Sequence, residues 1–144
     1  MPSLPVRWVH ARAHCQATED EAKVAAALDA AVSGGTPSRE ELVGQFGNPV
    51  VVLSRRIEAA PDVRSTWRRW VDAGIPHSLE ADLDARLDDA GVLHFRLDKQ
   101  QAAQGRLAPL RDGDAIDVQV KLKAYPARPE EIRKVARAVL SGAV

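Results

Sequence analysis

Three stretches of the chain alternate apolar and polar residues with period two, the signature of a strand buried on one face. From Val6 to Ala17, Val9, Ala11, Ala13 and Cys15 fall on one side, and Trp8, His10, Arg12 and His14 on the other. The small side chains on the first side suit a strand packed closely under a helix. Val92 to Leu97 repeats the pattern with His94 and Arg96 on the polar side, and Ala115 to Tyr125 extends it. There Ile116, Val118, Val120 and Leu122 alternate with Asp117, Gln119, Lys121, Lys123 and Tyr125. Two more strands, Glu41 to Phe46 and Val50 to Glu58, form a hairpin across Gly47-Asn48-Pro49, whose residues disfavour helix.

Between the strands the apolar spacing becomes helical. Thr18 to Glu21 reads as a capping box, with Thr18 as N-cap and Glu21 as its reciprocal partner, opening an alanine-rich helix that Gly34-Gly35 ends. Thr36-Pro37-Ser38 reads as a loop. Pro61 opens a second helix with the stripe Val63, Trp67, Trp70 and Val71. Ser78 caps a third, with Leu79, Leu83 and Leu87 on one face. A short helix follows Asp98 and ends near Gly105, and Arg111 to Asp114 is a loop. The last helix carries Ile132, Val135, Ala136, Val139 and Leu140. Five strands and four main helices, each helix apolar on one side, predict an α+β fold. Its form is a two-layer sandwich, a mostly antiparallel five-stranded sheet with helices on one face and the other face open.

At 144 residues the chain is expected to form one domain spanning 1–144, with ordinary hydrophobic (45%) and charged (28%) content. The single cysteine, Cys15, excludes an intramolecular disulfide and a multi-cysteine zinc site. No apolar run approaches the ~20 residues of a membrane span. MPSLPVRWVHARAHC lacks the apolar core of a signal peptide, so a cytoplasmic protein is expected. Net charge is +0, with 20 basic and 20 acidic residues, so no global basic field marks a nucleic-acid binder. The charges are nevertheless segregated. His77 to Ala90 holds five acids and one base, whereas Gly91 to Arg128 holds seven bases and four acids.

That segregation gives the open face its interest. If the first, fourth and fifth strands are neighbours, the face collects imidazole, guanidinium, ammonium and aromatic groups, as a surface that follows phosphates and stacks bases does. The plainer alternative is a solvated sheet face, which also carries lysines and arginines. His10 and His14 stand ~13 Å apart on a strand, too far to share one ion, so no metal site is expected. Trp67 and Trp70 share an apolar stripe and read as core. Trp8 is either a stacking platform or an edge cover. Cys15 reads as a small hydrophobe. The chain has no nucleophile elbow, P-loop or dinucleotide fingerprint, so no catalytic residue and no cofactor is assigned. In HFRLDKQQA, Asp98 and Gln101 account for a helix cap. Arg96 and Lys99 are left as cations beside free amides, a phosphate site by this reading.

Four strings carry a family resemblance: RAHCQATEDEAKV (Arg12 to Val24), FGNPVVVL (Phe46 to Leu53), FRLDKQQA (Phe95 to Ala102) and KLKAYPA (Lys121 to Ala127). With similarity running from about Val6 to Leu140, the chain resembles the archaeal family of small RNA-binding-domain proteins described as predicted exosome subunits. The resemblance implies a fold like that of the large-subunit ribosomal protein that binds 5S rRNA. It also implies an RNA partner and a role in RNA processing or translation in an archaeal cytoplasm, with exosome or ribosome-associated proteins as further partners. It supplies no catalytic residues. The Pro-containing lead-in and the loop from Gly34 to Arg39 depart from the family, and no function is assigned there. The expectation is a non-catalytic RNA-binding protein that uses Arg12, His14, Arg96, Lys99, Lys121, Lys123 and Tyr125. The alternative is a protein–protein adaptor of an RNA-processing complex that does not touch RNA.

Overall fold

The structure, a computed structural model, describes residues 4–44, 47–110 and 113–142. The strands are β1 (Val6–Cys15), β2 (Thr36–Val43), β3 (Pro49–Ile57), β4 (Val92–Asp98) and β5 (Ala115–Leu122). They form one antiparallel sheet in the order β2-β3-β1-β5-β4. Central β1 pairs on both edges, His10 facing Arg56 of β3 and Gln119 of β5. Its alternation holds, with Val9, Ala11, Ala13 and Cys15 buried beneath the helices. The predicted two-layer α+β architecture is the one observed.

The helices are α1 (Glu21–Ala31), α2 (Ala60–Asp72), α3 (Ile75–Leu79), α4 (Leu83–Arg86), α5 (Lys99–Ala103) and α6 (Pro129–Ser141), with a 3-10 turn over Glu80–Asp82. Trp67 and Trp70 are core residues, as their spacing implies. Trp70 meets Trp67 and Phe95 edge-on at 5.5 and 5.2 Å between ring centres. Its indole N–H donates to the Ala31 carbonyl at 2.8 Å, joining α2 to α1. Among the described residues, no helix is long and apolar enough to cross a membrane.

Several local expectations are corrected. Asp20, not Thr18, caps α1, accepting from the Ala22 amide at 2.9 Å. Thr36-Pro37-Ser38 is the start of β2 rather than a loop. Every residue of that edge strand is exposed, so it shows no alternation to read, and Pro37 is tolerated because the strand lies at an edge. The strand end predicted at Phe46 and the loop residues Arg111 and Asp112 lie outside the described residues. Val71 is 53% exposed and leaves the α2 stripe. The single helix expected after Ser78 is three short turns. Ser78 does not cap them, its hydroxyl donating back to the Ile75 carbonyl. β5 stops at Leu122, so Lys123 and Tyr125 lie beyond the sheet. Gly35 has φ 89°, and a Cβ there would stand 2.6 Å from the Arg56 carbonyl oxygen, so only glycine fits this close approach of β2 to β3.

The largest correction concerns Lys99. Asp98 caps α5 as expected, accepting from the Gln101 amide at 3.1 Å. Lys99, however, is only 2% exposed and turns inward. Its ammonium lies 2.8 Å from Glu19, 2.5 Å from Asp114 and 2.8 Å from the His14 carbonyl oxygen. One side chain thus ties together the end of β1, the lead into α1, α5 and the lead into β5. Burial opposes the charge on both partners, yet hydrogen bonding outweighs it. Lys99 is raised from its ordinary value by Asp114 and Glu19, and Glu19 is lowered by Lys99 and the Gln16 amide. The raised lysine gives stability below its unfolded value and loses it as pH rises through the folded one. The lowered carboxylate gives stability above its unfolded value and loses it in acid. The cluster therefore holds fully between about pH 5 and pH 10.

Lys99→Met keeps the side-chain volume but removes the cation from half-buried Glu19 and exposed Asp114, and should destabilise the fold by about 1–3 kcal/mol in urea titrations at neutral pH. The gap between variant and wild type should shrink in acid, as Glu19 takes up a proton and the ion pair is lost in both proteins. A gap that stays constant into acid would mean that the charge cluster contributes nothing.

Candidate nucleic-acid interface

The pleat that buries Val9, Ala11 and Ala13 sends Trp8, His10, Arg12 and His14 to the opposite face. The registers join these residues to neighbours in rows. Arg12 faces Asp117, which faces Arg96; His10 faces Gln119, which faces His94. On the other flank His10 faces Arg56, and His14 faces Val52. The neighbour relations that the sequence left conditional are therefore present. β4, β5 and β1 are adjacent, and their polar sides form one surface.

This surface is a shallow groove of about 580 Å³, lined by the two rows together with Asp82, Ala85, Arg86 and Leu110. Its charges are mostly paired. Arg96 Nε lies 3.0 Å from Asp117, Arg86 Nε 2.9 Å from Asp82, and His94 Nε2 2.9 Å from Asp88. Arg12 has no ion-pair partner among the described residues. His10 titrates below its ordinary value because burial, then the positive fields of Arg56 and Arg12, disfavour its protonation. It is a neutral ring at physiological pH, suited to stacking. Asp88 is held below its ordinary value although burial opposes this, by hydrogen bonds from His94 and from the Val92 and Ala90 amides.

The residues predicted to bind divide by position. Arg12, Arg96 and His14 share the open face, as does Lys121, whose ammonium donates to the Ala90 carbonyl. Lys123 and the 98% exposed Tyr125 stand beyond the end of β5, next to that face but not on it. Lys99 does not join them. Its ammonium is enclosed by Glu19 and Asp114, and the α5 amide expected to bind phosphate is taken by Asp98. HFRLDKQQA is thus a strand with one outward arginine followed by a capped turn.

Residues that the sequence reading passed over also belong here. Arg56 of β3 stacks 3.9 Å above the centre of the Trp8 ring, so Trp8 is a platform already covered by a cation. The alternation of β3 would have put Arg56 outward had its pairing with β1 been known. Arg86 lies within an acidic stretch of sequence, and along the chain nothing distinguishes Asp117 from the other polar residues of β5. Among the described residues, no group of three or more His, Cys, Asp or Glu side chains could hold a metal ion.

The chain is 28% identical to the RNA-binding protein PAB1135 of Pyrococcus abyssi, over 96% of both chains. It is similar in structure to Mth689, a DUF54 protein of Methanothermobacter thermautotrophicus. The TM-score is 0.79 at 34% identity, covering 94% of this chain and 98% of that one. It is also similar to AF2318 of Archaeglobus fulgidus, with a TM-score of 0.84 at 27% identity, covering 93% and 99%. The family described as RNA binding matches residues 8–122, from the third residue of β1 to the end of β5, and the chain belongs to that family.

Proposed function

We propose that this protein binds RNA without acting on it chemically, and that the RNA lies across the open face of β1, β5 and β4. The observation that carries this reading is the convergence on one uncovered face of Arg12, Arg96, Lys121 and three histidines, from three adjacent strands. Lys121 and Lys123 supply phosphate contacts along the Trp8 end of the groove, and exposed Tyr125 supplies a stacking surface there. Arg12 and Arg96 donate from the centre, with His10 and His14 beside them. Family membership supports RNA as the partner. The resemblance that first suggested it supports a setting in archaeal RNA processing or translation, beside exosome or ribosome-associated proteins.

Affinity for labelled single-stranded RNA should fall linearly with salt on a log–log plot, by about 0.7 per phosphate contacted. Lys121→Ala with Lys123→Ala should weaken binding for every sequence and reduce that slope by about 1.4, two contacts' worth. Unchanged affinity and slope in this double variant would remove that end of the face from the interface. Arg12→Ala with Arg96→Ala should lower affinity at least about tenfold, measured by fluorescence anisotropy. Purified protein that binds no RNA, yet holds protein partners through nuclease treatment, would favour the adaptor reading.

A further inference from the structure

Phosphate binding does not explain why a carboxylate sits in the middle of the groove. Asp117 lies on β5 between Arg12 of β1 and Arg96 of β4, its cross-strand partner on each side. A side chain there repels phosphate, and an uncharged residue would have left the face more basic. The ion pair with Arg96 is a contact from Nε to Oδ1 at 3.0 Å, between side chains that are both about half exposed. A carboxylate has about four acceptor sites and a guanidinium five N–H donors, so one such contact exhausts neither group. Arg12, across the row, has no ion-pair partner among the described residues.

The row therefore presents donor, acceptor, donor to the groove. The Watson–Crick edge of uracil is its complement, with O2 accepting, N3–H donating and O4 accepting. Guanine matches at two positions, through O6 and N1–H. Cytosine and adenine present a ring-nitrogen lone pair where these bases present N–H, and that lone pair would face the carboxylate. Single-stranded RNA is read in this way, through splayed bases hydrogen-bonded on their edges and stacked on histidine or arginine planes. The second row, His10, Gln119 and His94, places two imidazoles and an amide beside the first. The cavity of about 580 Å³ lies within the range of about 300–1,000 Å³ in which proteins hold small molecules.

We infer that this groove is a base subsite that takes one unstacked base of single-stranded RNA and selects uracil over cytosine, with Asp117 accepting N3–H and Arg12 and Arg96 donating to the flanking carbonyl oxygens. The inference rests on the RNA-binding reading above and deepens it. Uridine and cytidine oligoribonucleotides of equal length carry the same phosphate charge, so a comparison between them removes the backbone contribution.

The test is anisotropy titration of the whole protein with the two oligomers at one salt concentration and pH 7.5. Wild type should bind the uridine oligomer at least about tenfold more tightly. Asp117→Asn keeps a carbonyl oxygen for Arg96 but turns an amide donor toward the base. It should weaken uridine binding and strengthen cytidine binding, bringing the ratio below about three, a reciprocal change that loss of packing would not produce. An N3-methyluridine oligomer, tested on unmodified protein, should bind wild type no better than the cytidine one. Equal affinity of wild type for uridine and cytidine would overturn the subsite and leave RNA binding standing. A uridine preference that survives Asp117→Asn or N3-methylation would also overturn it. Failure to bind any of the oligomers would overturn both the subsite and the RNA-binding reading.

Discussion

A strand paired on both edges and packed under helices on one face leaves only one direction for half of its side chains, and β1 is that strand. Val9, Ala11 and Ala13 are buried, so Trp8, His10, Arg12 and His14 must reach the opposite side. β5 and β4 are held in register with β1, and the same constraint passes through them to Asp117, Gln119, His94 and Arg96. The alanines let the helix layer approach closely, and that layer covers one face of the sheet. Core and candidate interface are the two sides of a single pleat. A one-residue slip of β5 against β1 would send Ile116 and Val118 into the groove and Asp117 into the core.

Within that frame, what a charged residue can do depends on its partners more than on its type. Lys99 and Arg12 look equivalent along the chain, since each is a cation close to a strand. Lys99 is buried and held by two carboxylates and a carbonyl oxygen, so its ammonium is already fully engaged within the fold. Arg12 has no such enclosure, and its guanidinium is available to a ligand. Arg96 stands between the two: it is paired with Asp117, but the pair is half exposed and keeps donors to spare.

The legibility of the sequence followed the same physics. β1, β4 and β5 could be read because burial of one face imposes alternation, and α2 and α6 because burial of one stripe imposes helical spacing. β2 has no buried side chain and so left no pattern. Leu79 and Leu83 are both buried and four residues apart, as in one continuous helix, but the chain between them passes through a 3-10 turn. Spacing registers burial, not continuity of hydrogen bonding. The open face was legible strand by strand, yet its rows were not, because the order β2-β3-β1-β5-β4 is set by which edges meet in three dimensions. Arg56 beside Trp8 and Asp117 between two arginines follow from that order alone.

A neutral chain with a mixed-charge groove recognises RNA differently from a strongly basic one. With 20 positive and 20 negative residues it has little long-range field, and at physiological salt interactions between exposed charges are largely screened beyond about 8 Å. Contacts then form only when RNA is already against the surface, where hydrogen-bond geometry counts as much as charge. The paired groups Arg96–Asp117, Arg86–Asp82 and His94–Asp88 suit that regime. In the proposed subsite Arg96–Asp117 holds an acceptor beside a donor at low net charge, so it would contribute little to non-specific backbone affinity and would discriminate between base edges. In the proposed base subsite the acid of the open face, Asp117, would be part of the recognition chemistry, and the balance of charge in the whole chain suits selective rather than indiscriminate binding.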